Sequence, residues 1–398
     1  MNQITLPSPR QRIYSLDILR GAVMIIMALD HVRDFIHAPA FVHDPLDLAT
    51  TTPLLFFTRW ITHFCAPVFV FLAGTSAFLQ SQRKSKSELS SFLIKRGLWL
   101  IVIEVIVITF GWSFNPSYNF IVLQVIWAIG ISMVLLGLLI WLPYNILLAL
   151  GLLIVFGHNA FDHNQAIQNS GVFWDLAMKG NFVRHCPSPD HCFVMIYAFV
   201  PWWGLMILGY CFGKLYRSTI DIAHRKRMLI YTGSSLILLF IILRAFNLYG
   251  DPVDWTPQRN GVYTFLSFIT VNKYPPSLLF MCITIGPALL ILSLLEKVNN
   301  KSSQAITIFG RVPFFYYVIH LYLIHAISMV LYLSRGHSFQ EGAKGIPDLP
   351  FHYFAPGEGY SLGIVYLVWI LVVIALYPLC KWFNDYKSKK RVWWMSYL

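Results

Sequence analysis

The chain has 398 residues, of which 57% are hydrophobic and only 12% charged. That charged share is about half that of an ordinary soluble domain, so a single water-soluble core is excluded and lipid must be part of the solvent. The formal net charge of +12 would suggest a nucleic-acid partner in a soluble chain, but here the cations are spread over alternating loops, as expected where membrane proteins collect Lys and Arg on the cytoplasmic side.

The first apolar run, Leu16 to Ile36, contains Asp17, Arg20, Asp30, Arg33 and Asp34. It lacks the short apolar stretch and small-residue cleavage site of a signal peptide, and it reads as a first membrane helix of unusual polarity. A membrane helix needs about 20 mostly apolar residues. Ten segments meet this approximately: 15–37, 55–80, 91–112, 118–141, 144–157, 193–215, 229–249, 275–296, 309–333 and 361–383. The fifth is short enough to be tilted or re-entrant.

With the N-terminus inside and sides alternating, 21 Lys and Arg fall on the inner side and nine on the outer, which together are all 30. The inner set includes Arg10, Arg12 and the run Lys387, Lys389, Lys390, Arg391, placed to meet anionic lipid. The prediction is an all-α, polytopic integral membrane protein of about ten transmembrane helices, one domain over 1–398, with both ends in the cytoplasm. Long outer loops are expected at 38–54, 158–192, 250–274 and 334–360. Loops of that length usually have a role.

In the loop 158–192, Cys186 and Cys192 bracket Pro187, Ser188, Pro189, Asp190 and His191. On the outer side a disulfide would persist. A metal site of His185, Cys186, His191 and Cys192 is the rival, though no second cluster accompanies it and no metal is expected. Cys65, Cys211, Cys282 and Cys380 lie in spans and read as core residues.

Ionisable groups within spans cost about 2.5–3.5 kcal/mol each on insertion scales and are functional candidates by default. Asp17 and Arg20 share a helix face near the inner end of the first span and suit an interface salt bridge or a phosphate-recognising pocket. His31, with Asp30, Arg33 and Asp34, lies about 21 Å further along the axis than Asp17. A polar cluster therefore sits near each membrane surface. Arg59 and His63 share a face at the outer mouth of the second span. Glu104 lies mid-span in the third, and Asn115 and Gln124 flank the fourth. Arg244 ends the seventh, Lys273 and Tyr274 open the eighth, and His320 and His325 lie in the ninth after Arg311. Trp60 and Trp112 read as interface anchors. No Gly-rich phosphate loop, HExxH pair or Gly-x-Ser-x-Gly elbow occurs.

The run Tyr14-Ser15-Leu16-Asp17-Ile18-Leu19-Arg20-Gly21, followed by Met27 and His31, resembles the first-helix signature of multispanning membrane acyltransferases. Bacterial relatives of heparan-alpha-glucosaminide N-acetyltransferase are similar in Phe64-Cys65-Ala66-Pro67-Val68-Phe69-Val70-Phe71-Leu72-Ala73-Gly74, in Lys273-Tyr274-Pro275-Pro276-Ser277 and in Phe309-Gly310-Arg311-Val312-Pro313-Phe314-Phe315-Tyr316. The resemblance implies an acetyl group taken from cytoplasmic acetyl-CoA and passed to an amino or hydroxyl group of a sugar, glycan or small molecule on the far side. It implies a catalytic histidine, His31 with His63 as rival, acting as general base or acyl relay with Asp30 or another carboxylate beside it. Asp17, Arg20, Lys95, Arg96 and Arg311 are the expected cofactor-side residues, since Arg suits CoA phosphates. Arg59, Arg244, Lys273 and Tyr274 are expected on the acceptor. The absence of a targeting peptide and the basic inner loops fit a bacterial inner membrane. The alternatives are a proton-coupled transporter with His31, Asp30 and Glu104 as relay, and a binding or scaffold protein without catalysis. Polar clusters at both faces and the lack of internal repeats favour group transfer.

Overall fold

A computed structural model describes residues 13–162, 171–346 and 349–390. Arg10, Arg12 and Arg391, which contribute to the predicted inner charge, lie outside the described residues, as do parts of the predicted loops 158–192 and 334–360. The protein is a mostly helical, polytopic integral membrane protein. Among the described residues six helices are long and apolar enough to cross a membrane: Pro53–Ser81, Tyr144–Phe161, Ile222–Ala245, Leu278–Leu295, Pro313–Ser334 and Leu362–Lys389.

In chain order the main helices are α1 (Tyr14–Ile36), α2 (Pro53–Ser81), α3 (Lys86–Ile103), α4 (Val125–Leu139), α5 (Tyr144–Gly157), α6 (Phe199–Phe212), α7 (Ile222–Ala245), α8 (Gly261–Ile269), α9 (Leu278–Leu295), α10 (Lys301–Arg311), α11 (Pro313–Ser334), α12 (Phe339–Lys344) and α13 (Leu362–Lys389). Their starts are chemically marked. The Thr52 side chain accepts from Leu55 N–H, with Pro53 in the first turn of α2. Ser85 and Glu88 cap α3 reciprocally, and Asp221 accepts from Ala223 and His224 N–H at α7. Each cap satisfies amides that a helix start leaves without partners.

Two predicted spans begin differently. Residues 118–141 open as strand β1 (Phe120–Leu123), and residues 193–215 open within strand β3 (His191–Met195), before α4 and α6 begin. With β2 (Val183–Ser188) they make one three-stranded sheet in the order β1-β3-β2. β1 runs parallel to β3, with Phe120 opposite Cys192, and β2 pairs antiparallel. Short apolar runs such as Phe120-Ile121-Val122-Leu123 carry no period that separates strand from helix, and the pairing joins residues about seventy positions apart.

Helix α1 is the centre of the fold. Fifteen of its 23 residues are buried, and it packs against α2, α9, α10, α11 and α13. Against α10 the two backbones touch. A Cβ on Gly310 would lie 1.9 Å from the Asp17 carbonyl oxygen, and one on Gly21 would lie 2.1 Å from that of Ile306. Small residues permit such an approach in membranes, and here it sets Asp17, Arg20 and Arg311 side by side. Gly310→Ala should therefore separate α1 from α10 and lower the thermal midpoint in detergent, since overpacking typically costs about 1–3 kcal/mol. An unchanged midpoint with wild-type behaviour on size exclusion would contradict this packing.

Candidate functional site

Two cavities flank the middle of α1. The first, of about 340 Å³, is lined from α1 by Met27, Asp30, His31, Arg33 and Asp34, and from α2 by Arg59, Thr62 and Phe69. Trp112, Gln124, Val125, Arg184, Tyr197, Lys273, Tyr274, Tyr317 and Phe351 complete much of its wall. The second, of about 280 Å³, is lined by Arg20, Ser76, Gln80, Arg96, Arg311 and Lys387 among others. Phe69, Val125 and Tyr317 line both, so these three side chains form the partition between them. Arg20 and His31 lie eleven residues apart on one helix, or about 16 Å along its axis.

His31 is buried, and its Nδ1 lies 2.8 Å from His320 Nε2. His320 Nδ1 in turn lies 2.9 Å from the Tyr316 carbonyl oxygen. A carbonyl can only accept, so His320 Nδ1 carries the proton and its Nε2 accepts. His31 Nδ1 must then donate. The neutral ring therefore keeps a free lone pair on Nε2, in the cavity wall. A backbone carbonyl thus fixes, through His320, which nitrogen of His31 is left without a proton. The rings stack at 4.9 Å, and Tyr316 stacks on His320 at 5.0 Å.

Asp30 lines the same cavity, but its carboxylate is bonded elsewhere. It accepts from Arg33 Nη2 at 2.9 Å and from Arg59 Nη1. Arg33 also donates to Asp34 at 2.6 Å. Helix neighbours point about 100° apart, and the group that bonds the His31 ring is His320 rather than Asp30 or another carboxylate. His63 is buried against Phe280 rather than in the cavity wall.

Of the residues expected on the acceptor, Arg59, Lys273 and Tyr274 line the first cavity and Arg244 does not. Its guanidinium donates to the carbonyls of Phe268, Val253, Ser267 and Thr270 at 3.0, 2.6, 3.1 and 2.6 Å. It closes the end of α8 and shapes the segment leading to Lys273. Four of its five N–H groups are bonded to carbonyls and Nη1 lies 3.9 Å from Asp251, so the side chain is committed to this loop rather than to the cavity. Burial pushes the Tyr274 hydroxyl up, but the Lys273 and Arg59 cations outweigh this and leave its pKa below the ordinary tyrosine value.

In the second cavity, Arg20 donates to Asp17 at 3.1 Å, to the Gly310 carbonyl at 3.0 Å and to Ser76 at 3.2 Å. Asp17 also lies 3.8 Å from Arg311. Asp17 is absent from the wall and holds two arginines that are in it. Lys95 is not in the wall.

Cys186 and Cys192 are joined in the β2–β3 hairpin, with an S–S distance of 2.08 Å. Arg184 donates toward both sulfurs at 3.3 Å and stacks 4.7 Å over Phe120. His185 bonds Asp175 at 2.9 Å. Among the described residues no group of three or more His, Cys, Asp or Glu side chains is placed to hold a metal.

Trp112 was expected at an interface. It is instead buried, with its ring edge-on to His31 at 4.9 Å. Glu104 lies at a π-helical turn, Glu104–Ile108, and accepts from Gln124 N–H at 2.7 Å just before α4. Its burial is explained by that cap. Its other oxygen has no partner in the protein.

Arg244→Leu should leave four buried carbonyls without their donor, at about 1–3 kcal/mol for each one left unsatisfied. A lower thermal midpoint and faster proteolysis within 250–274 are the expected results. Wild-type stability would contradict the structural role.

The family described as heparan-alpha-glucosaminide N-acetyltransferase, catalytic, matches residues 12–243, more than half of the chain. No curated protein matches the sequence. The matched stretch carries His31, Asp30, Arg59, Arg20 and Arg96, and ends before Lys273, Arg311 and His320. The chain belongs to the heparan-alpha-glucosaminide N-acetyltransferase catalytic-domain family.

Proposed function

We propose that the protein binds acetyl-CoA in the Arg20 cavity, on the cytoplasmic side of the membrane. It transfers the acetyl group to an amine or hydroxyl of a sugar or glycan held in the His31 cavity on the outer side. The observation that carries this reading is the shared partition. Phe69, Val125 and Tyr317 line both cavities, so a thioester entering from one side and an acceptor entering from the other meet beside His31. The excess of Lys and Arg on the predicted inner side, 21 against nine, supports ten spans with both ends inside.

Arg96 and Arg311, with Arg20 held by Asp17, supply cations for the CoA phosphates. Arg59, Lys273 and Tyr274 face the acceptor. His31 acts as general base: its free Nε2 takes the proton from the attacking amine or hydroxyl. The Nδ1–H to His320 bond stabilises the imidazolium that forms. Meeting at one point makes a covalent acetyl carrier unnecessary.

Calorimetry with acetyl-CoA tests the cofactor side. Arg311→Ala should weaken binding tenfold or more, since a hydrogen bond to a charged group contributes about 1.5–3 kcal/mol. His31→Ala should bind as wild type does and fail to transfer. No binding by well-folded wild type would sink the reading and turn attention to proton-coupled uptake.

His320 is a positioning residue, and rescue by a conservative variant tests it. His320→Leu removes the acceptor for His31 Nδ1–H and should lower kcat on the order of 10²–10⁴-fold. His320→Gln offers a carbonyl acceptor and should recover part of the loss. Equal losses in both variants would assign His320 to packing alone.

A further inference from the structure

We propose that the Trp112 indole N–H and the Tyr317 hydroxyl form an oxyanion site for the thioester carbonyl, a step that rests on the acetyltransferase reading above. Each side chain is more than nine-tenths buried, at 5% and 4% exposure. Among the described residues neither Trp112 Nε1 nor Tyr317 Oη has a hydrogen-bond partner outside this pair, and the two side chains lie within reach of each other. Buried donors without partners are uncommon and ask for an explanation. Several other tryptophans and tyrosines are unpartnered too. What separates these two is location: both line the His31 cavity.

Both also flank the base. The ring centroids of Trp112 and Tyr317 lie 4.9 and 6.2 Å from that of His31, each near edge-on at 73° and 78°. Tyr317 stands in the partition as well, so it borders the space from which the thioester arrives. The third unpartnered polar atom in this wall is Arg33 Nε. The Arg33 charge is already committed to Asp30 and Asp34. Two neutral donors in the wall of one cavity are worth most where charge develops during reaction.

The electron count is simple. The acceptor nitrogen or oxygen attacks the thioester carbon, and its proton passes to His31 Nε2. The carbonyl π pair moves onto oxygen, giving an alkoxide that accepts from Trp112 N–H and Tyr317 O–H. The pair then re-forms the carbonyl and the C–S bond breaks. The sulfur leaves as a thiolate and takes the proton back from His31, so that acetylated acceptor and free CoA thiol result.

Tyr317→Phe and Trp112→Phe keep a ring against His31 while deleting the donor. Free-thiol release from acetyl-CoA, with glucosamine or water as acceptor, reads turnover, and calorimetry reads acetyl-CoA affinity. Each variant should lose about 10²–10³-fold in kcat, the usual effect of deleting one such donor. The KM and calorimetric affinity for acetyl-CoA should stay within about twofold of wild type. Wild-type turnover in both variants would overturn the oxyanion assignment and leave the acetyltransferase reading standing. So would a kcat loss matched by an equal loss of affinity, because that is the signature of a damaged partition. A wild type that neither binds nor turns over acetyl-CoA would overturn both.

Discussion

Five charged residues lie on α1, an otherwise apolar helix at the centre of a membrane protein, and most of the architecture follows from housing them. Each would cost about 2.5–3.5 kcal/mol against lipid. Surrounding α1 with five other helices removes the contact with lipid, and backbone contact at Gly21 and Gly310 leaves little room beside its inner half. The charges then pair locally: Asp17 with Arg20 and Arg311, Asp30 with Arg33 and Arg59. Each group of pairs borders one cavity. The same residues that make α1 expensive to insert define two polar compartments on a single rigid rod.

Beside the charges of the first compartment stands a neutral pair of rings. His31 takes its tautomer from a neutral His320, which is fixed by a backbone carbonyl. No carboxylate bonds either ring. A histidine held this way keeps its lone pair available without an ion pair to break, as the proposed general base requires. Charge is confined to the two ends, where the proposed substrates carry it: phosphates at one end, the acceptor at the other.

The sequence reveals elements and lone charges better than it reveals company. Apolar runs of span length lead to the helices, and Asp17, Arg20, Asp30, Arg59, Lys273 and Arg311 stand out because charge in a span is conspicuous. Arg244 is conspicuous for the same reason. Its partners, however, are four carbonyls between nine and 26 residues away, in the following loop and at the end of α8, which no pattern announces. The reverse holds for Trp112 and Tyr317. They are ordinary residues in apolar segments and acquire meaning only when folding places them around His31. His320 is visible as a histidine in a span. Its link to His31, across 289 positions, is a matter of packing. The strands escape because β1 and β3 are short apolar runs that continue directly into helices. One sequence signal was available for Glu104: a lone acid in an apolar helix needs a partner, and here it is the start of α4.

The central claim is that donor and acceptor meet from opposite faces of the membrane. Its most direct test uses sealed liposomes holding the protein in known orientation, with labelled acetyl-CoA on one face and glucosamine on the other. The account predicts labelled N-acetylglucosamine when acetyl-CoA is on the face bearing Arg20 and glucosamine is on the face bearing His31, and none when the two are exchanged. Product formed only when both substrates share one face would contradict it.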